Sequence, residues 1–349
     1  MDSSNTLLPV GFVGSIIWMT VPPRKMSLLA LVLAAGWLPL RNAHGQTVQM
    51  LDPVGYNLLT LPAGNSIRVN PMVQAKVFQA IAGSVSSDPN SVITVSGSAA
   101  VLAAGAYNET ATGPAYYLEV LSTGSGQGLI ADVVSNTANT ITVAQSIPGF
   151  GVSGTTTFCI RPHTTLSSLF PASNSALSPY VDTLELFFPD GSSKAFLFTG
   201  VGSGWVDPGM YTDAGGVVIY PGQGFVMNVA TSKSVPIMGS VKAGPTIVPL
   251  YAGEVNLVGT INSQSSGPQT LSSYALPASL VPNVDTAGTF VDDGSLDQEG
   301  SYMSNGTSMV DQVTLAIADS EPVPPTEGVL VSVGQSENWV MPSFFTSGQ

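Results

Sequence analysis

The stretch Gly204–Ser232, GWVDPGMYTDAGGVVIYPGQGFVMNVATS, decides the fold, because it is written a second time. Ser308–Ser336, SMVDQVTLAIADSEPVPPTEGVLVSVGQS, lies 104 residues further on and repeats its grammar without a gap. Val-Asp falls on Val-Asp, Pro221 on Pro325, Gly224 on Gly328 and Ser232 on Ser336. In both copies a proline turn delivers the chain to a glycine and then to alternating apolar residues: Phe225, Met227 and Val229 in one, Val329, Val331 and Val333 in the other. Alternation of this kind is the period of a strand with one face buried. The glycine is expected to supply positive φ or a bulge where the strand starts. The turns ATSKS and GQSEN are then expected to close hairpins with VPIM and WVM.

Working outward, helical periodicity is scarce. PMVQAKVFQAIAG (Pro71–Gly83) is the best helical candidate and reads equally well as strand. Elsewhere short apolar runs alternate and stop at turn residues, as in VITV after DPN and LELFF before PDG. The fold class is therefore all-β: two related β-sandwich or barrel-like lobes, the first interrupted by a small inserted β module. The lobes are residues 46–75 with 163–241, and 242–349; the inserted module is 76–162. Within the module, SVSSDPNSVITVSGS (from Ser84) and DVVSNTANTITVAQS (from Asp132) each read as strand, polar turn, strand, which suits a small barrel or sandwich.

Residues 1–45 read as a leader. Arg24 and Lys25 precede an apolar run, Ser27–Leu40, that is shorter than the roughly 18 residues a membrane helix needs. Ala43 and Gly45 place small residues before Gln46, so signal cleavage is expected between Gly45 and Gln46. The stretch before Met19 has no positive charge ahead of its apolar residues, so translation is expected to start at Met19 or Met26. No later run is long and apolar enough for a membrane helix, and the protein is expected to be secreted, at the cell surface, in the extracellular space or in the periplasm.

Charged residues are 9% of the chain, against roughly 25% in an average soluble protein, and the net charge is −13. From Gln46 onward six basic residues face twenty-one acidic ones. Such a surface repels phosphate backbones, which argues against nucleic acid as a partner. Candidate sites are few. Cys159 is the single cysteine and reads as a packed thiol between Phe158 and Ile160, which point the other way on a strand. His163 stands at the seam where the inserted module rejoins the first lobe and reads as a structural hinge residue, since no orienting partner is placed beside it. No G-x-S-x-G, H-E-x-x-H or phosphate-cradling loop occurs. The acidic loop with Asp292, Asp293, Asp297 and Glu299 offers oxygen ligands of the kind calcium takes, although a solvated loop is the simpler reading. No cofactor is expected. Trp205, in a glycine-rich turn, and one of the adjacent Tyr116 and Tyr117 are the candidate platforms for stacking on a sugar, although core packing is the simpler reading of each.

The order of these phrases resembles an uncharacterised family of secreted β-rich proteins found as paralogous sets in Verrucomicrobia. The residues that carry the likeness are Asp52–Gly55 (DPVG), Trp205 in GSGWVD, and Pro221–Val226 (PGQGFV), followed by a second round. The second round departs from the pattern, with Met309 where a tryptophan is expected and a more acidic VDDGSLDQEG. The resemblance implies export and a repeated β architecture, and carries no activity. The reading is a non-catalytic structural or adhesive protein that self-associates. A secreted glycan-binding module is the alternative, and a glycoside-active enzyme working through paired carboxylates the third.

Overall fold

A computed structural model describes residues 7–12, 15–20, 52–87, 91–96, 102–123, 126–144, 156–261, 269–276 and 280–342. The expected cleavage site Gly45–Gln46, and Met26, lie outside these residues. The chain divides into two compact units, Met1–Gln49 and Met50–Gln349. In the first, strands β1 (Leu7–Phe12) and β2 (Ser15–Thr20), which holds Met19, pair antiparallel.

The second unit is all-β. It runs β3 (Val54–Leu61), β4 (Gly64–Val69), β5 (Phe78–Ser87), β6 (Ser91–Val95), β7 (Tyr116–Val120), β8 (Ile130–Asn136), β9 (Thr140–Val143) and β10 (Thr157–Pro162). Then come β11 (Thr164–Thr165), the helical turn α1 (Leu166–Leu169), β12 (Thr183–Phe187), β13 (Ser193–Phe198) and β14 (Trp205–Asp207). They are followed by β15 (Thr212–Asp213), β16 (Val218–Ile219), β17 (Gly224–Val229) and β18 (Lys233–Ser240). The last strands are β19 (Thr246–Leu250), β20 (Asn256–Val258), β21 (Thr286–Phe290), β22 (Gln298–Ser304), β23 (Met309–Asp311), β24 (Val329–Ser332) and β25 (Glu337–Met341).

Six of these strands close a barrel in the order β10-β5-β6-β9-β8-β7. The segment from Phe78 that periodicity left between helix and strand is β5, a barrel stave. Alternate residues, Leu118 and Val120 on β7 and Phe158 and Ile160 on β10, fill the barrel with Ile93, Val133 and Ile141. Closure removes the sheet edges that a lone hairpin would leave open.

Two further sheets share a five-strand order when one is read in reverse, with β15 added at the edge of the first. The first is β15-β14-β13-β12-β17-β4 and the second is β20-β24-β21-β22-β23. The strands after the turns ATSKS and GQSEN correct the hairpin expectation. β18 pairs with β3, and β25 pairs with β19, each crossing to a separate two-stranded ribbon. A ribbon of this kind covers the apolar face that a flat hairpin would leave wet. Leu59, Leu61, Val235 and Ile237 pack onto Leu184, Phe196, Phe225 and Met227 of the first sheet. Val248, Leu250, Trp339 and Met341 do the same for Val329 and Val331 of the second.

The two sheets meet edge to edge at a seam. Val69 N donates to Thr326 O at 3.0 Å, and Gly259 N donates to Gly222 O at 3.0 Å. Each proline turn thus seats its carbonyl on the edge of the other sheet. Gly224 and Gly328 do not have positive φ, which falls on Gly222 instead. A Cβ on Gly224 would stand 3.0 Å from Leu257 Cβ, and one on Gly328 would stand 2.6 Å from Ile67 Cγ2. The recurring glycines are there for close packing across the seam, which corrects the backbone reading.

Candidate functional site

Trp205 opens the short strand β14 and is 0% exposed. Its indole Nε1 donates to Phe170 O at 2.9 Å, and its ring packs between Phe170 and Phe198. This corrects the expectation of a sugar platform. Gly204, at φ +94, lies so close to Ala172 that the turn folds onto the core, and a ring with no exposed face cannot stack on a ligand. Tyr116 and Tyr117 take opposite faces of β7. Tyr116 is half-buried, edge-on to Tyr107 at 5.1 Å. Tyr117 is buried on the outside of the barrel, 4.9 Å from the His163 ring.

His163 sits between barrel strand β10 and β11 and is buried. Its Nε2 lies 2.9 Å from Asp132 Oδ1, and Tyr220 Oη donates to Asp132 Oδ2 at 2.8 Å. Burial, and then the Asp132 charge, push the Tyr220 phenol well above its ordinary range. Asp132 comes from the barrel and Tyr220 from the proline turn, so the three residues tie barrel, seam and sheet together. The orienting partner absent from the neighbouring sequence is supplied from 31 residues away.

A second joint is ionic. On the outer face of β7 and β10, Glu119 Oε2 accepts from Arg161 Nε at 2.6 Å, and Glu119 Oε1 lies 2.9 Å from Lys242 Nζ. Arg161 also reaches Asp52 at 2.6 Å, and Lys76 reaches Asp52 at 2.8 Å. Burial pushes the Glu119 carboxyl up, but Lys242 and Arg161 outweigh it and hold it below its ordinary value. The Cys159 thiol is 0% exposed and sits 3.5 Å from Glu119 Oε2. Burial, and then that carboxylate, raise it far above the range in which a thiolate forms. All six basic residues from Arg68 to Lys242 make an ion pair.

Where the barrel, the first sheet and the second sheet converge lies a cleft of about 720 Å³. Phe188, Phe196, Tyr220 and Tyr251 give it an aromatic wall, with Asp132 and Glu254 as carboxylates. Lys194 Nζ lies 5.7 Å over the Phe196 ring and 2.7 Å from Asp207 Oδ2. Sequence reasoning missed this cleft because its walls come from segments more than 100 residues apart.

The acidic loop does not assemble a cation cage. Asp292 is taken by Arg68, and Asp293 Oδ1 accepts from Ser295 N at 2.9 Å within its own turn. Asp297 and Glu299 are exposed, and no group of three or more His, Cys, Asp or Glu side chains gathers among the described residues.

Two buried aspartates also escaped notice. Asp182 Oδ2 accepts from Ser178 N and Oδ1 from Ala230 N; Asp285 Oδ2 accepts from Val281 N and Oδ1 from Gly334 N. The signal was Val-Asp-Thr, present at Val181 and again at Val284. Thr165 and Ser168 exchange side-chain and backbone bonds across α1, and Thr270 and Ser273 do the same. Ser232 Oγ accepts from Ala63 N, and Ser336 Oγ from Ala252 N. Comparison with family models, curated proteins and solved structures finds no match to this chain.

Proposed function

We propose that the chain is an exported, non-catalytic structural or adhesive protein of the cell surface or extracellular space that associates with itself. Its framework is one β lobe built twice, residues 46–75 with 163–241 and then 242–349, with the barrel segment 76–162 inserted in the first. The shared strand order and the recurring aspartate, Thr-Ser and Ser-amide bonds support the duplication. One observation carries the function. The outward face of the β3–β18 ribbon holds Val54, Tyr56, Leu58 and Met238, which are 81, 75, 52 and 78% exposed. A contiguous apolar face on a secreted protein is the mark of an association surface. Light scattering of the full chain across a concentration series tests this. A mass that grows with concentration is expected, and a strict monomer throughout would overturn the reading.

A second reading is favoured by the cleft. Aromatic rings beside carboxylates suit a sugar, whose C–H faces stack while its hydroxyls donate. Retention of the full chain on insoluble polysaccharide, lost in Tyr251→Ala, would support it; no retention would remove it.

A further inference from the structure

Strand β3 has a side that no described strand pairs with, and its geometry specifies what fits there. In the β3–β18 register Leu58 lies opposite Pro236, which has no N–H. That pair is therefore a non-hydrogen-bonded one, and Leu58, like Val54, Tyr56 and Thr60, directs its N–H and C=O away from β18. The surroundings agree. Thr60 O accepts from Arg68 Nε at 2.9 Å, and Leu58 N is turned onto its neighbour's Asn57 Oδ1 at 2.8 Å.

The second ribbon shows the same edge in use. Leu61 pairs with Lys233 and Leu250 with Glu337, so Leu58 and Ile247 hold matching places in their ribbons. Ile247 N donates to Gly128 O of the barrel at 3.0 Å, and Ile247 is 8% exposed where Leu58 is 52% exposed. One ribbon edge is thus covered by the barrel segment, and its counterpart is paired by no strand among the described residues.

Edge strands are ordinarily protected by charge, proline or a bulge. β3, VGYNLLTL, has none of these over eight residues, on a chain of net charge −13. We infer that the open edge of β3 pairs with the β3 edge of a second copy of this chain, antiparallel about a two-fold axis at Tyr56. The register follows from what is already occupied. Thr60 O is held by Arg68, and ahead of Val54 the chain at Pro53 has no N–H and turns its carbonyl to Val241 N on the β18 side. The outward-facing run is Val54–Leu58, its centre is Tyr56, and pairing would exchange the Leu58 N–H bond to the Asn57 side chain for one to a backbone carbonyl. Two-fold pairing sets Tyr56 against Tyr56 and Val54 against Leu58, joins the two ribbons into four strands, and brings no like charges together. An acidic partner of any other kind would have no cation to meet on this strand.

This inference deepens the self-association reading and rests on it. It is tested on the full chain by two measurements. Sedimentation velocity of Tyr56→Lys/Leu58→Lys should show dimerisation weakened at least tenfold. Both side chains are exposed, so the thermal melt should match the parent and confirm that the fold is intact. Tyr56→Cys treated with a short bis-maleimide linker should give a covalent dimer, whereas Val313→Cys, 89% exposed on β23's loop, should not. Cys159 is buried and leaves the background silent. If the lysine variant dimerises as tightly as the parent, or position 313 links as readily as 56, the β3 edge is wrong while self-association stands. A strict monomer at every concentration overturns both.

Discussion

Asp182 and Asp285 are held by the same pair of backbone amides, but their third neighbours have opposite charge. Lys233, three residues after Ala230, places its ammonium on Asp182, whereas Glu337, three residues after Gly334, stands beside Asp285. Burial, and then the Asp285 charge, raise the Glu337 carboxyl above its ordinary value. Glu337→Lys is expected to stabilise the protein by about 1–2 kcal/mol, since it exchanges a repulsive pair for an attractive, partly screened one. Urea unfolding of the two proteins at neutral pH checks this. Glu327 tells the same story at the seam. Burial lifts its carboxyl from 4.5 to about 7, against the pull of Arg68 and with help from Asp292 and Glu299. The raised value means that the folded state keeps the proton after the unfolded chain has lost it. The contribution is fully present below pH 4.5 and disappears as pH rises through about 7. Stability should therefore fall between these values by about 1–2 kcal/mol, allowing for solvent screening, and Glu327→Gln should flatten the slope. Melts at pH 5 and pH 8 measure it; an unchanged slope in Glu327→Gln would place the effect elsewhere.

At the scale of elements, the recurring proline and glycine positions were legible, and their purpose was not. Pro221, Gly224, Pro325 and Gly328 mark where a strand starts in both copies, as turn chemistry requires. That Gly224 and Gly328 lie against Leu257 and Ile67 depends on a sheet edge distant in sequence, and no local signal records it. Gly328→Ala should cost about 1–3 kcal/mol, because the added methyl meets Ile67 across the seam. Gly224→Ala should cost a similar amount, since its methyl would meet Leu257 Cβ at 3.0 Å and the Leu257 backbone, which cannot rotate away. Gly113, with nothing within 4 Å but φ +118, is a control that senses backbone strain alone. Thermal denaturation ranks the three. The partner switch of β18 and β25 was illegible for a related reason: a short polar turn looks the same whether the chain folds back in its own sheet or crosses to a ribbon. Trp205 could be read both as packed and as a platform because a glycine-rich turn announces a bend but not its direction.

Across the whole molecule, Glu119 is the point where three segments are fastened. It lies on the barrel, Arg161 leads the chain out of the barrel, and Lys242 leads from β18 to β19. Glu119→Gln leaves the buried Lys242 without its anion and Arg161 with Asp52 alone, and is expected to cost about 3–5 kcal/mol. A loss below about 1 kcal/mol in urea unfolding would show that packing, not this carboxylate, holds the barrel in place. Because the Glu119 carboxyl is held low, its contribution is lost as pH falls through that lowered value, the opposite sign to Glu327. The stability optimum should accordingly lie in mild acid. The sequence by itself determined the all-β class, the positions of the turns and the existence of a repeated pattern. These follow from side-chain alternation and backbone chemistry, which act over a few residues. Only the tertiary structure decided which strands pair, which rings are buried, where the cleft opens and which edge is left unpaired among the described strands. Those outcomes depend on apolar faces and scarce charges finding partners far along the chain, and 9% charged residues spread over 349 positions give no local indication of the match.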